Sequence, residues 1–322
     1  MTFEDGSVQE GRLLEAISGG STEIVYCPHP HACSRSGRME RVARSLQEIV
    51  RLERWTRSAT RMGNIVGGVV GAVLLGGLVA AGILWWQVFS GPSGMLHVYF
   101  FDVGQGDSAL IVTPRGRQVL VDGGPNSESA VEAVGGELAF GDKSLDLVVL
   151  THLDADHSRG LMEVLDRYRV GGVLIGSDDV DAPLGPEWDA ALERGGLAPV
   201  KVEYGYRIDL EPGSTPAVIL EVLNPQREQV RPPRADLNNN AVVLRLVYGK
   251  TSFLLASDVE AKAEGAMSRG GTTLDSDVLK VAHHGSKTST TDVFLQRVDP
   301  EIAVISVGSG NPYGHPHPGV LA

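Results

Sequence analysis

The chain has 322 residues, 42% of them hydrophobic, and a formal net charge of −12 at pH 7. This length allows one or two globular domains with sizeable cores. The acidic balance argues against a protein that binds nucleic acid over its whole surface, because non-specific affinity comes from Lys and Arg neutralising phosphates, so any nucleic-acid site would have to be local.

The sequence predicts a flexible tail over residues 1–37. They include "CPHPHAC", in which Cys27, His29, His31 and Cys33 could hold zinc. The two prolines and the six-residue spacing of the cysteines match no standard zinc finger, so the pattern favours a tail with two reduced thiols. These are the chain's only cysteines, and the rest of the chain therefore cannot be held by disulfides.

The sequence predicts a basic helix next to a membrane over residues 38–61. Val42, Leu46, Ile49 and Val50 recur at helical spacing among arginines, which suits a helix lying on an anionic membrane surface. A solvated helix or a coiled-coil seam would give the same pattern, and both alternatives stay open.

Residues 62–89 predict a single transmembrane helix. No charged residue occurs between positions 65 and 88, a run longer than the roughly 20 apolar residues that cross a bilayer. Eight arginines lie between positions 35 and 61, and no Lys or Arg follows the apolar run before Arg115. The positive-inside rule therefore predicts a single-pass protein of the cell membrane, with its amino terminus in the cytoplasm and its carboxyl-terminal part exported. A buried core helix is the alternative.

Residues 95–322 predict a layered α/β domain. Short β-rich runs are followed by "LDLVVL", which is apolar throughout, as expected of a strand buried on both faces. Further strands and helical segments follow without regular alternation, which is typical of sheets with helices on their outer faces.

A loop rich in charged residues follows "LDLVVL" directly. It places His152, Asp154, Asp156 and His157 within six positions. Two carboxylates so close to a buried strand would repel each other and lose hydration unless a cation neutralised them. The alternative is a solvated turn in which Asp156 caps the next helix.

Asp and His also recur just after other apolar runs. Each residue has a local explanation as a turn former or helix cap, but ligands collect at the ends of strands, so the recurrence predicts a shared site. The residues are Asp122, Asp258, His283, His284, His315 and His317.

Seven segments together resemble a known family. They are "FFDVGQGDSALIV", "VLVDGG", "THLDADHSRGL", "NNNAVVLRL", "FLLASDVE", "LKVAHHGSKTST" and "NPYGHPHP". Their order resembles the metallo-β-lactamase superfamily and, within it, the soluble hydrolase domain of ComEC-type competence proteins. The resemblance implies an α/β fold, the αββα sandwich, here preceded by one transmembrane helix.

The resemblance also implies two divalent metal ions. Asp154 stands where the family signature has its second His, and Asn238 to Asn240 occupy the region of a further His. Which of the three faces the site stays open, and Asn240 is the candidate. This oxygen-rich set leaves both zinc and manganese open. The implied ligands are His152, Asp154, Asp156, His157, Asp258 and His284, and Asp122 would order the site.

Three residues are candidates for catalysis. Asp156 belongs to the metal set as well, while Asp107 could position the site or the substrate and Lys287 could face a departing phosphate together with His315. A turn aspartate, an exposed lysine and a loop-stabilising histidine are the corresponding alternatives. His283 adjoins the implied ligand His284 and is a further candidate site residue.

The resemblance implies a metal-dependent hydrolase, and the apolar run with its flanking arginines predicts that it is membrane-anchored and exported. A phosphodiesterase or nuclease acting on DNA is favoured, with single-stranded DNA as a possible substrate. One alternative is hydrolysis of a small ester, a lactone or a phosphocholine-like group. Another is a non-catalytic metal-binding scaffold in a DNA-uptake complex, which the missing His keeps open. The chain stops at "GHPHPGVLA", where related domains usually continue, which leaves open an unpaired sheet edge or a truncated or frame-shifted carboxyl terminus.

Overall fold

A computed structural model describes the backbone of residues 13–18 and 21–26, and residues 68–86, 93–176, 182–226 and 236–322 with their side chains. The predicted basic helix at 38–61 and the Cys/His segment at 27–33 lie outside the described residues. Both stay predictions.

Two strands form a hairpin within the predicted tail. Strands β1 (Leu13–Ser18) and β2 (Ser21–Tyr26) pair antiparallel, with Leu13 opposite Tyr26. The sequence places two glycines between them, which suit a two-residue hairpin loop because glycine accepts positive φ. The sequence prediction of a flexible tail included no strand here.

One helix is long and apolar enough to cross a membrane. Helix α1 (Gly68–Trp86) has 19 residues and a mean hydropathy of 2.2, and no part of it is buried against the rest of the described chain. At 1.5 Å per residue it is about 28 Å long, close to the thickness of a bilayer's hydrocarbon core. The helix lies within the predicted span at 62–89, and by length and composition it could be a membrane span.

The rest of the described chain contains two six-stranded sheets. The first has the order β10-β9-β7-β5-β4-β3, and the second runs from β11 to β16 in sequence order. The strands of the first sheet are β3 (His97–Phe100), β4 (Ala109–Val112), β5 (Gln118–Val121), β7 (Leu147–Leu150), β9 (Val173–Ile175) and β10 (Pro199–Lys201), and a small parallel pair is formed by β6 (Ser144–Leu145) and β8 (Arg169–Val170). Those of the second are β11 (Arg207–Asp209), β12 (Val218–Asn224), β13 (Val243–Tyr248), β14 (Thr251–Leu255), β15 (Val278–Lys280) and β16 (Ile302–Val304).

Helices cover the outer face of each sheet. Those on the first sheet are α2 (Ser127–Glu137), α3 (Ala155–Arg167) and α4 (Gly185–Gly195), and those on the second are α5 (Ala261–Arg269) and α6 (Asp292–Val298). A short helix α7 (Pro318–Leu321) and two 3-10 turns (Asn238–Asn240 and Ala282–Gly285) complete the described elements.

The alternation of side chains along the strands builds three apolar layers. On β7, Val149 packs between the two sheets, while Val148 and Leu150 pack against the helices of the first sheet. The strand is therefore buried on both faces, as its continuous apolar run predicted. Leu244 of the second sheet packs into the same central layer, and Phe294 of α6 packs into the outer layer behind it. This is the predicted αββα sandwich.

Parallel pairing brings several strand ends to one edge of the sandwich. Strands β5 and β7 run parallel, as do β14, β15 and β16. The two sheets meet at this edge, because the Val242 amide donates to the Thr151 carbonyl oxygen at 3.0 Å and the Ser257 hydroxyl donates to Thr151 Oγ1 at 2.8 Å. Side chains that follow these strands therefore converge.

Candidate metal centre

Four of the predicted site residues form one cluster. Asp156, His157, Asp258 and His284 each offer a ligand atom, and these atoms all lie within 4.8 Å of one another. His157, Asp258 and His284 are buried, while the Asp156 side chain is 31% exposed. We call these four residues the metal cluster, and its open side is at Asp156.

The position of helix α3 explains how neighbours in sequence reach the cluster. The helix begins at Ala155, so Asp156 and His157 lie in its first turn and Asp154 is the N-cap residue. The alternative in which Asp156 caps this helix is therefore wrong, because Asp156 already lies inside the helix. Asp154 makes no side-chain capping hydrogen bond either.

Asp258 contacts both buried imidazoles of the cluster. Its Oδ1 lies 3.3 Å from His157 Nε2, and its Oδ2 lies 3.4 Å from His284 Nε2. Asp156 Oδ2 is also 3.4 Å from His284 Nε2. The Asp258 carboxylate thus lies between two ring nitrogens. One histidine follows a strand of the first sheet, and the other follows a strand of the second sheet.

The polar atoms of this cluster fit a divalent cation. The Nε2 atoms of His157 and His284 and Oδ1 of Asp258 are buried without a hydrogen-bond partner. Buried polar atoms are rarely left unpaired, because each forfeits its hydration. Imidazole nitrogens combined with carboxylate oxygens are the donor set of zinc and also suit manganese.

Outer contacts turn both imidazoles toward the cluster. Asp122 Oδ2 lies 2.8 Å from His157 Nδ1, and the Ser306 carbonyl oxygen lies 2.9 Å from His284 Nδ1. Because these oxygens only accept, Nδ1 carries the proton in the neutral form of each ring, which leaves the Nε2 lone pair for a cation. Both rings are therefore oriented for metal coordination through Nε2.

Asp122 lies behind His157 rather than in the cluster. At the end of β5 it has a φ of 56° and accepts hydrogen bonds from the Thr151 amide at 2.9 Å and the Thr151 hydroxyl at 2.7 Å. A non-glycine residue in the left-handed region is strained, and such strain concentrates at functional sites. This geometry suits the ordering role that the resemblance implies.

His152 and Asp154 lie beside the metal cluster. The rings of His152 and His157 are 4.2 Å apart, and His152 Nε2 is 3.4 Å from Asp154 Oδ2. His152 Nε2 is also buried without a hydrogen-bond partner. The pair is placed next to the four clustered residues and does not belong to them.

The cluster strongly favours positive charge. Burial disfavours the imidazolium form of His284, but the nearby carboxylates of Asp107, Asp156 and Asp258 outweigh it and raise the pKa of His284 to about 11. Burial likewise opposes charge on His157, yet Asp258 and Asp122 raise the pKa of His157 well above its usual value. Around the metal cluster there are therefore more carboxylates than cationic groups to pair with them. A bound cation would correct this imbalance of charge.

Comparison with known proteins places the domain in a family. Residues 101–309 match the profile of the Metallo-beta-lactamase superfamily. The chain belongs to the metallo-β-lactamase superfamily. The αββα sandwich described above is the fold of that superfamily, as the sequence motifs predicted.

The relatives include proteins named for competence. The chain is 32% identical over 241 residues to "ComE operon protein 3" of Bacillus subtilis (strain 168), covering 70% of this chain and 30% of that protein. It is 32% identical over 240 residues to "Competence protein ComA" of Neisseria gonorrhoeae, covering 74% and 31%. The predicted resemblance to ComEC-type competence proteins is therefore confirmed. The match spans less than a third of the length of these relatives.

The solved structures that the chain matches include the metallo-beta-lactamase fold protein YhfI of Bacillus subtilis. The match has 11% sequence identity and a TM-score of 0.44, and it covers 70% of this chain and 92% of that one.

Asp107, a predicted catalytic residue, forms a buried ion pair. Lys280 Nζ lies 2.8 Å from Asp107 Oδ2 and 2.7 Å from Oδ1, and both side chains are buried. Asp107 Oδ1 is also 3.3 Å from His284 Nδ1. Asp107 therefore stands behind a member of the metal cluster, which fits a positioning role better than contact with a substrate.

Lys280 is a residue that the sequence reasoning missed. Its signal is a lone lysine at the end of the apolar strand β15, directly before "VAHHG". A lysine is almost never fully buried without a partner, so its position in an apolar strand calls for a carboxylate. The loop that supplies this carboxylate needs glycine at position 106, where φ is 141° and a side chain would overlap the carbonyl oxygen of Asp156.

The asparagines at 238–240 have structural partners. Asn239 Oδ1 accepts from the amides of Ala263 at 3.0 Å and Glu260 at 3.3 Å, at the beginning of α5. Asn240 Nδ2 donates to the Asp236 carbonyl oxygen at 2.7 Å. Among the described residues, neither asparagine shares a hydrogen bond or ion pair with the metal cluster. The site role of Asn240 stays a prediction.

His283, His315 and Lys287 lie on loops around the cluster. His283 Nε2 is 3.8 Å from Asp258 Oδ2, and the rings of His283 and His315 are 5.8 Å apart. Burial lowers the pKa of His315, and His283 and His284 lower it further. Lys287 is exposed in the loop after Ala282–Gly285. The two histidines thus approach the cluster, while Lys287 faces solvent.

Proposed function

We propose that the chain is a membrane-anchored, metal-dependent phosphodiesterase that cleaves DNA, with single-stranded DNA as its substrate. One observation carries the proposal: the buried Nε2 atoms of His157 and His284 converge on Asp258 without hydrogen-bond partners. The competence proteins among the relatives support DNA as the substrate.

The proposed centre holds two divalent ions, zinc or manganese. The metal cluster would hold one ion, and His152 and Asp154, which lie beside it, would help to hold the second. When bound, the ions would supply Lewis acidity that activates a water and polarises a phosphoryl oxygen. The set of three carboxylates and three imidazoles keeps manganese in consideration beside zinc.

The residues of the chain would prepare this centre in three ways. Asp122 and the Ser306 carbonyl oxygen hold the Nδ1 protons, so that both Nε2 atoms face the site. The partly exposed Asp156 marks the side from which a phosphodiester approaches. Lys287, which is exposed on the adjoining loop, would neutralise a phosphate as the substrate arrives.

We propose that α1 anchors this domain on the outer side of the cell membrane. The helix carries no charged residue, and the arginines before it favour a cytoplasmic amino terminus. Protease added to intact cells should therefore digest the domain that follows α1, as detected by antibodies against it. Digestion that requires cell lysis would contradict this topology.

Metal analysis combined with turnover assays tests the function. The purified full-length chain in detergent should contain zinc or manganese and should cleave both a single-stranded oligonucleotide and a generic phosphodiester. The Asp156→Ala variant should lose most of this turnover, because it removes one oxygen from the metal cluster. Asp189→Ala, the same change at an exposed position of α4, should leave turnover unchanged.

The same assays separate the alternatives. Cleavage of small esters but not of DNA would favour the small-ester hydrolase, and metal binding without any turnover would favour the scaffold. Equal turnover by wild type and Asp156→Ala would contradict the proposed centre.

A further inference from the structure

A row of aromatic rings leads from solvent to the metal cluster. Tyr313 is 66% exposed, and its ring stacks on His315 with centroids 5.7 Å apart and planes inclined by 19°. His315 meets the ring of His283 at 5.8 Å, and His283 meets that of His284 at 6.2 Å. We call Tyr313, His315 and His283 the ring row, and its inner end adjoins a member of the metal cluster.

The loop that carries the outer end of the row is held in place by Asn311. Asn311 Oδ1 accepts from the amides of Tyr313 and His315, both at 3.1 Å. Its Nδ2 donates to the carbonyl oxygens of Gly308 at 3.1 Å and His315 at 2.7 Å. Four hydrogen bonds to one side chain fix the backbone, so the ring of Tyr313 is presented by an ordered loop.

This loop is also attached to the segments that form the site. The His317 amide donates to the Gly285 carbonyl oxygen at 2.8 Å, and the Gly308 amide donates to Gln105 Oε1 at 3.1 Å. Gly285 follows His284 directly, and Gln105 lies two residues before Asp107. The backbone of the loop that carries Tyr313 is therefore held close to the segments of the metal cluster.

The charge of the chain favours stacking as a source of affinity. With a net charge of −12, the protein gains little from phosphate neutralisation over its surface. A base stacked on an aromatic ring adds affinity that does not depend on neutralising phosphates, and stacking tolerates every sequence because each base has a π-face. Bases stacked inside a duplex do not offer that face, so such a platform selects unpaired bases.

We infer that Tyr313 is a stacking platform for an unpaired base of the strand whose phosphodiester is cleaved at the metal cluster. The inference rests on the proposed function and names the feature of the substrate that this site recognises. A small ester or a generic phosphodiester has no base and gains nothing from this ring.

Kinetics with two oligonucleotides test the platform in the full-length protein. One substrate is a single-stranded oligonucleotide, and the other has the same length and phosphates but abasic sugars throughout. Tyr313→Ala should raise KM for the first substrate roughly tenfold, in the range of one lost stacking contact, with little change in kcat. Its KM for the abasic substrate should stay at the wild-type value, and Tyr313→Phe, which keeps the ring, should resemble wild type on both.

Phe140 supplies the matched control. It is 69% exposed, close to the 66% of Tyr313, but lies outside the ring row. Phe140→Ala should leave KM unchanged for both oligonucleotides. An unchanged KM of Tyr313→Ala for the base-bearing substrate would overturn the inference, and so would an equal rise for both substrates, because the ring would then only order the loop.

Fluorescence of an oligonucleotide that contains 2-aminopurine separates this inference from the proposed function. Stacking quenches the fluorescent base, so wild type and Tyr313→Phe should quench it on binding and Tyr313→Ala should not. Quenching that depends on the ring, without any cleavage by wild type, would support the platform and contradict the nuclease. Cleavage by wild type with equal quenching in all three proteins would support the nuclease and overturn the platform.

Discussion

Asp258→Asn is expected to lower turnover by more than about 100-fold, beyond the usual effect of residues that only orient a metal ligand. Asp258 is the carboxylate that contacts the Nε2 atoms of both His157 and His284. The substitution keeps the size of the side chain and removes its charge. It should therefore lower the metal content and the turnover together, because both depend on the same oxygen atoms.

Metal content by mass spectrometry and turnover of a single-stranded oligonucleotide measure this effect. Asp275→Asn, the same change at an exposed position before β15, is the control and should behave as wild type. Circular dichroism establishes that both variants are folded. Full metal content in Asp258→Asn would show that Asp258 is not a ligand.

Lys280→Met is expected to destabilise the domain by about 3–5 kcal/mol, the range for breaking one side of a buried ion pair. Burial opposes ionisation of Asp107, but Lys280 together with His284 and His157 outweighs it and holds the pKa of Asp107 below its usual range. Without Lys280 the Asp107 carboxylate would be buried without its compensating cation. The melting temperature should fall by roughly 10 °C.

Two further variants make this result specific. Asp107→Asn combined with Lys280→Met should recover more than half of the lost stability, because neither charge is then left unpaired. Lys262→Met removes an exposed partner of Asp236 and should cost no more than about 1 kcal/mol. Thermal unfolding followed by circular dichroism measures all of them. A wild-type melting temperature for Lys280→Met would contradict the buried pair.

Much of the fold was predictable because its signals are local in the sequence. The run "LDLVVL" has apolar side chains in both orientations, and the structure uses both, with Val149 facing one core and Val148 the other. The arrangement of the two sheets followed from the family that the order of the motifs resembles. The amino-terminal hairpin was missed although the two glycines at positions 19 and 20 are a hairpin signal.

The arrangement of the site was predictable only in part. The residue types after each strand indicated which side chains converge, and the structure brings Asp156, His157, Asp258 and His284 together. No local pattern indicates that Lys280 pairs with Asp107, because 173 positions separate them and several carboxylates compete for the lysine. The role of Asn239 could not be predicted either. Its side-chain oxygen accepts from the Ala263 amide in α5 instead of facing the site, and only the packing of α5 determines this contact.

Anomalous X-ray scattering from crystals grown with manganese or zinc tests the central claim most directly. The account predicts a peak within about 2.0–2.3 Å of Nε2 of both His157 and His284, with oxygens of Asp156 and Asp258 completing the coordination. A metal peak elsewhere on the chain, or none between these four side chains at saturating metal, would contradict it.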